Sequence, residues 1–129
     1  MAARQQPLGA SLTADDRSIG IELVGWGKVA LIETIGRVTG AAASAAVGFV
    51  DGDDGSLLVA AGTEGSDWAL NLRANPRCRV TVGEAVTDCH ASEVDGALRN
   101  RALGELVLKY GTPAERLGYG PVFHLVPQR

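Results

Sequence analysis

Two stretches of this chain carry side chains of a type and spacing that could hold a ligand. The first is Gly36–Gly40 (GRVTG), which sets Arg37 and Thr39 in a glycine-bracketed turn. Such a turn leaves backbone N–H groups free, and with a guanidinium and a hydroxyl beside them it can hold one phosphate. Taken alone, the same five residues also make an ordinary hairpin turn. The second is Ser66–Pro76 (SDWALNLRANP), helical in pattern: Ser66 suits an N-cap, Asp67 puts negative charge in the first turn, and Asn75-Pro76 stops the helix. Trp68 and Leu72 stack one turn apart, with Asn71 and Asn75 in a second row beside them. So short a helix needs a sheet to dock on. It reads either as a connector plugging a barrel end with one aromatic, which the wheel favours, or as one wall of a ligand cleft.

The common catalytic sets are missing: there is no GxSxG, Walker lysine loop, HExxH or CxxC. His90 and His124 fall in separate strand-like runs with no obvious carboxylate or cysteine partner. Asp51–Gly55 (DGDDG) gathers acids, but the EF-hand spacing and its closing Glu are absent, so it reads as a hairpin turn and no metal is expected. No catalytic side chain is assigned. If this chain is an enzyme, a bound cofactor does the chemistry while the protein supplies shape and hydrogen bonds.

The elements that must position these residues follow from the pattern. At 129 residues the chain fits one domain, and a net charge of −3 does not suggest a nucleic-acid or anionic-membrane surface. Residues 1–18 are polar and aperiodic, a loose tail before a single domain at 19–129; Ser18–Trp26 is left as helix or lead-in strand. With no secretion signal or bilayer-length apolar run, a soluble cytoplasmic protein is expected, binding a small-molecule substrate and compatible with a homodimer. Strands are expected at Gly27–Ile35, Ala41–Val50, Ser56–Ala61, Arg77–Val82, the segment from Ala85, and Pro121–Val126. The alanine-rich second strand (Ala41–Ala46) suits either a flat ring lying on small side chains or packing under a helix. A two-residue turn at Gly83-Glu84 sets Val80 opposite Thr87, Arg79 opposite Asp88 and Cys78 opposite Cys89, so both strands agree on the buried face. That makes Cys78 and Cys89 buried neighbours, expected to be reduced thiols. Asp95–Gly111 is a helix with a Leu98, Ala102, Leu103, Leu106, Tyr110 stripe, followed by a further helical turn from Thr112. Six mostly antiparallel strands and two helices joined by hairpins predict an α+β fold, a small barrel closed by helices.

Taken together, LIETIGRVTG, a DG-turned hairpin, WALNLRANPRCRVTVG and YGTPAERLGYGPVFHL resemble the deazaflavin-dependent nitroreductase family of split β-barrel flavoproteins, over about Lys28–Val126. The resemblance implies an FMN-binding split-barrel fold of the pyridoxamine-phosphate-oxidase type. It also implies coenzyme F-420 in a groove between barrel and short helix, and hydride transfer to a nitro-aromatic or quinone-like acceptor. By position, Arg37 and Thr39 would hold the cofactor's phosphate end, Trp68 and Asn71 would line the groove, and Tyr110 and Tyr119 come nearest to the family's substrate-side tyrosines. The family usually has a cation at the position of Val38, arginines where Ala41–Ala46 stands, and a lysine before Ser66. Each lost charge-assisted contact costs roughly 1.5–3 kcal/mol, so weak cofactor binding is expected. Two alternatives stay open: an FMN-binding reductase on the same barrel, and a non-catalytic small-molecule-binding barrel.

Overall fold

The computed structural model describes residues 25–128, apart from the side chains at 112, 113, 115 and 116. The expectations for the N-terminal tail and most of Ser18–Trp26 lie outside the described residues. Strands β1 (Ala30–Ile35) and β2 (Ala42–Val47) form a hairpin through GRVTG, followed by β3 (Phe49–Asp51) and β4 (Leu57–Ala60). Helix α1 (Asp67–Ala74) leads into the β5 (Arg77–Val82) and β6 (Ala85–Val94) hairpin. Helix α2 (Gly96–Tyr110), a 3-10 segment (Thr112–Tyr119) and β7 (Val122–Pro127) complete the chain.

All seven strands belong to one antiparallel sheet, in the order β2-β1-β5-β6-β7-β4-β3. Its two end strands, β2 and β3, are separated in sequence by Gly48 alone. A flat sheet cannot join its opposite edges through one residue, so this one curls into a split barrel. The sequence expectation of one strand over Ala41–Val50 therefore becomes two, giving seven strands among the described residues where six were expected. Gly48 makes the bend because Tyr110 lies over it: a Cβ there would meet the Tyr110 ring at 3.0 Å. The Tyr110 hydroxyl accepts from the Phe49 amide (3.0 Å) and donates to the Lys28 carbonyl (2.7 Å), tying the start of β3 to the segment that leads into β1.

Period-two alternation divides the apolar residues between two cores. Along β4, Leu57 and Val59 join an inner cluster with Ile32, Val80, Phe123 and Leu125, while Leu58 and Ala60 join an outer one. Helix α1 closes the inner core with Ala69 and Leu72, and half-buried Trp68 tilts its ring onto Phe123 at 5.9 Å. This is the orientation the helical wheel predicts for Trp68 and Leu72. Helix α2 covers the outer core with Ala102 and Leu106, flanked by Leu98, Leu103 and Tyr110, the expected stripe. Full burial of an aliphatic or aromatic side chain stabilises by about 1.5–3 kcal/mol, so these two clusters carry the fold.

Both helices begin at the expected N-cap residues, Ser66 and Asp95, but neither side chain makes a capping bond. The Ser66 hydroxyl instead donates to the Ala61 carbonyl (3.3 Å) and shares a hydrogen bond with Thr63 (3.0 Å), tying down the loop before α1. The β5–β6 hairpin turns at Gly83 (φ +61°) in the predicted register, with Arg79 and Asp88 paired at 3.0 Å.

Cys78 and Cys89 stand opposite each other, buried and unbonded. Burial pushes the Cys78 thiol up to about 12, with smaller contributions from Cys89 and Asp88, and raises Cys89 as well. Both are thus protonated at neutral pH and unreactive. Denatured, freshly purified protein is expected to yield two titratable thiols, whereas native protein should react slowly; none after denaturation would contradict this. Because the folded value of Cys78 lies above its unfolded one, its stabilising contribution is complete below the ordinary thiol range and is lost as pH rises toward about 12.

Candidate cofactor site

The GRVTG turn is closed by its own backbone: the Gly36 amide donates to the Ala41 carbonyl (2.7 Å) and the Gly40 amide to the Gly36 carbonyl (2.8 Å). Gly40 sits at φ +77°, and a Cβ on Gly36 would come within 2.9 Å of the Ala41 oxygen, so both glycines are required. The amides of Val38 and Thr39 have no acceptor among the described residues. The Thr39 hydroxyl accepts from the Ala41 amide (3.2 Å), which leaves its own proton to donate outward. The turn thus offers two amides and a hydroxyl without an acceptor among the described residues, while the Arg37 guanidinium beside them is turned to Asn71 and Asp67.

Arg37 is held from α1. Asn71 Oδ1 accepts from both the Arg37 amide (3.1 Å) and Arg37 Nη1 (2.7 Å), while Asn71 Nδ2 donates to Thr34 Oγ1 (3.0 Å). Thr34 in turn donates to the Ala43 carbonyl at 3.4 Å. The side-chain amide of Asn71 therefore couples the helix to β1, the turn and β2. Asp67, at the first turn of α1, adds an exposed ion pair to Arg37 Nη2 (3.2 Å) and accepts from Nη1 through its carbonyl (3.4 Å). The other side of α1 is fixed by Arg73, which forms two 2.8 Å bonds to Glu93 and a 3.1 Å contact to Glu64. Hydrogen bonding to Arg73 holds the Glu93 carboxyl below its usual range. Rotation of α1 against the turn would break both sets of contacts.

The candidate residues separate as follows. Arg37 and Thr39 share the turn, and Asn71 touches Arg37 directly. Asn71 is only 3% exposed and sits behind the arginine, not at an open surface. Trp68 lies one turn earlier on α1 with its ring toward the barrel interior. Tyr110 packs in the outer cluster at the Gly48 bend, its hydroxyl bonded to backbone groups, and Tyr119 is 78% exposed on the 3-10 segment. Neither tyrosine contacts the turn. Sequence reasoning missed Thr34 and Asp67 as partners of Arg37 and Asn71; a threonine at the inward position two residues after Ile32 was the available signal.

Among the described residues no helix covers the alanine strand, the packing that one expectation offered. Ala42–Val47 is mostly exposed, an edge of the sheet. At its first pair, Ile35–Ala42, a cleft of about 550 Å³ opens, lined in part by buried Thr34, Cys78 and Cys89. It crosses β1 and β5 past Glu33, Arg77 and Arg79 and ends at Asp88 and Gln128.

The model of the F-420H(2)-dependent quinone reductase family matches residues 10–116. The chain belongs to this family. Among solved structures it is similar to an F-420-dependent reductase termed FDR-A, with 26% identity, 76% of this chain and 93% of that one covered, and a TM-score of 0.64. Two further matches bear on fold. One is the heme storage protein HutZ from Vibrio cholerae (20% identity, 88% and 90% covered, TM-score 0.67). The other is a structure described as a domain-swapped dimer (23%, 84% and 95%, TM-score 0.65). The split barrel expected from sequence is thereby established, and with it a deazaflavin-dependent oxidoreductase whose cofactor is coenzyme F-420. The groups at GRVTG, backbone N–H, a hydroxyl and a guanidinium, are of the donor chemistry that a phosphate accepts from. The FMN and non-catalytic alternatives give way to this family membership. No helix among the described residues is long and apolar enough to cross a membrane.

Proposed function

We propose that this protein reduces a quinone-like or nitro-aromatic small molecule at the expense of reduced coenzyme F-420, held by its phosphate in the GRVTG turn. The observation that carries the reading is one turn in which the Val38 and Thr39 amides have no acceptor among the described residues, beside the Thr39 hydroxyl and an Arg37 held to α1 by Asn71. Arg37 and Thr39 bind, Asn71 orients Arg37, and Trp68 forms the edge where α1 meets the barrel. When bound, the reduced deazaflavin supplies a hydride, and solvent supplies the accompanying proton, so no acidic side chain is required. Tyr110 and Tyr119 are the substrate-side candidates carried by the resemblance; of the two, exposed Tyr119 has the freer side chain. A cytoplasmic setting and a homodimer are compatible with this reading.

Anaerobic mixing of reduced F-420 with a soluble quinone or a nitro-aromatic, followed by return of the oxidised chromophore's absorbance, tests the acceptor class. The expected result is a protein-dependent rate that saturates with at least one acceptor. A rate equal to that without protein for both would contradict the proposal.

A further inference from the structure

Tyr119 is an exposed aromatic that belongs to neither core cluster and has a glycine on either side, Gly118 and Gly120. Glycine leaves the backbone free to take many conformations, so such a run does not by itself hold a ring in one place. Arg99 holds it from α2. Its Nη1 donates to the Gly120 carbonyl (2.8 Å) and its Nη2 to the Gly118 carbonyl (2.7 Å), one on each side of Tyr119. The half-buried guanidinium makes no ion pair among the described residues, so its fork is given to these two carbonyls. The same run is pressed against the loop that leads into α1. A Cβ on Gly120 would collide with the backbone of Gly62 and Thr63, and one on Gly62 would meet Leu117 at 3.4 Å. The Ala61 amide donates to the Pro121 carbonyl (3.0 Å), closing the contact. Through the bonded pair Thr63 and Ser66 the loop runs into the first turn of α1, where Asp67 meets Arg37. Tyr119 thus stands beside the loop that feeds this end of α1, whereas the Tyr110 hydroxyl is spent on backbone groups.

Building on the function proposed above, we infer that Arg99 is a positioning residue for the acceptor: by gripping the carbonyls on both sides of Tyr119, it sets the phenol ring where a flat quinone or nitro-aromatic can lie against it. Arg99 acts through Tyr119 and touches neither acceptor nor cofactor. A ring fixed beforehand binds better than a free one, because ordering a mobile side chain on binding costs affinity. One guanidinium suffices for this, since its Nη groups donate in a rigid planar fork. A lysine at the same place is a point donor and serves one carbonyl well.

Hydrogen–deuterium exchange of the cofactor-free protein reads the grip itself. Arg99→Met should speed exchange at residues 117–120 while α1 and the barrel strands keep their wild-type rates. Steady-state reduction of a soluble quinone or nitro-aromatic, whichever the wild type turns over, at saturating reduced F-420 reads its use. Arg99→Met should raise the acceptor KM about tenfold and Arg99→Lys about threefold, with F-420 affinity unchanged in both. In a Tyr119→Ala background, Arg99→Met should raise the acceptor KM no further, because the ring it positions is gone. A guanidinium that merely stapled the segment to α2 would cost the same with or without that ring. Unchanged exchange at residues 117–120, an unchanged acceptor KM in Arg99→Met, or equal Arg99→Met effects in the two backgrounds would overturn the inference while leaving the proposed reduction standing. If Arg99→Met does not fold, Arg99→Lys decides by the same criteria. Absence of wild-type turnover with either acceptor class would overturn both.

Discussion

Asn71→Ala is expected to lower unfolding free energy by about 2–4 kcal/mol and to abolish tight cofactor binding in the same variant. The stability loss follows from burial: the amide makes three hydrogen bonds at 3% exposure, one of them to a guanidinium. Truncation leaves the Arg37 amide unmet and the Thr34 hydroxyl with only its 3.4 Å bond to the Ala43 carbonyl, and an unmet buried polar group costs more than a made bond contributes. The binding loss follows because the remaining contacts of α1 to Arg37 are a long 3.4 Å bond to the Asp67 carbonyl and the exposed Asp67 ion pair, the latter worth within about 1 kcal/mol. Asn71→Asp should be milder, since a carboxylate still accepts from Arg37 and Thr34 can turn its proton toward it. By contrast, half-buried Trp68→Ala should fall below the roughly 3–5 kcal/mol of a fully buried tryptophan. Thermal denaturation of the three variants checks this; an Asn71→Ala protein as stable as wild type would contradict the coupling of helix to turn.

Arg37→Ala is expected to remove deazaflavin binding while leaving the barrel folded. The fold survives because Arg37's backbone amide, not its side chain, keeps one of the bonds to Asn71, and that bond is unchanged in alanine. Binding does not survive because Arg37 is the cation nearest the free amides of Val38 and Thr39. Its carboxylate neighbour gives a second test of opposite sign. Asp67 pairs with Arg37 at 3.2 Å and is highly exposed, so it competes with an incoming phosphate for the same guanidinium. Asp67→Asn should therefore tighten binding severalfold, most visibly at low salt. Circular dichroism and titration on the same samples separate folding from affinity. Loss of secondary structure in Arg37→Ala, or weaker binding in Asp67→Asn, would show that the ion pair is mainly structural.

How much of this was legible in the chain depends on whether the signal was local. The β5–β6 hairpin was read to the residue because Cys78, Val80 and Val82 alternate against a Gly83-Glu84 turn, and period two admits one register. The α2 stripe was equally readable. The split of Ala41–Val50 was not, because the bend at Gly48 exists only under Tyr110, a residue 62 positions later in the chain. Local spacing carries no trace of that contact. The site divides the same way. Arg37 and Thr39 were visible as donors in a glycine turn, but the helical wheel put Asn71 beside Trp68 without showing which would be covered. The structure buries Asn71 because α1 packs on β1, where Thr34 presents a hydroxyl at an inward position. The cation at Arg77 looked like a strand's solvent face and became part of a cleft only once β1 and β5 were seen to be neighbours. Capping residues misled slightly, since Ser66 and Asp95 occupy the predicted positions and Ser66 bonds elsewhere.

The central claim is that the GRVTG turn holds the phosphate end of coenzyme F-420. Its most direct test is a fluorescence titration of wild-type protein with F-420 at low salt, in parallel with the chromophore stripped of phosphate and tail and with FMN. Saturable binding of F-420, markedly weaker binding of the stripped chromophore, and loss of that difference in Arg37→Ala are expected. Equal affinity for F-420 and the stripped chromophore, unchanged in Arg37→Ala, would contradict it.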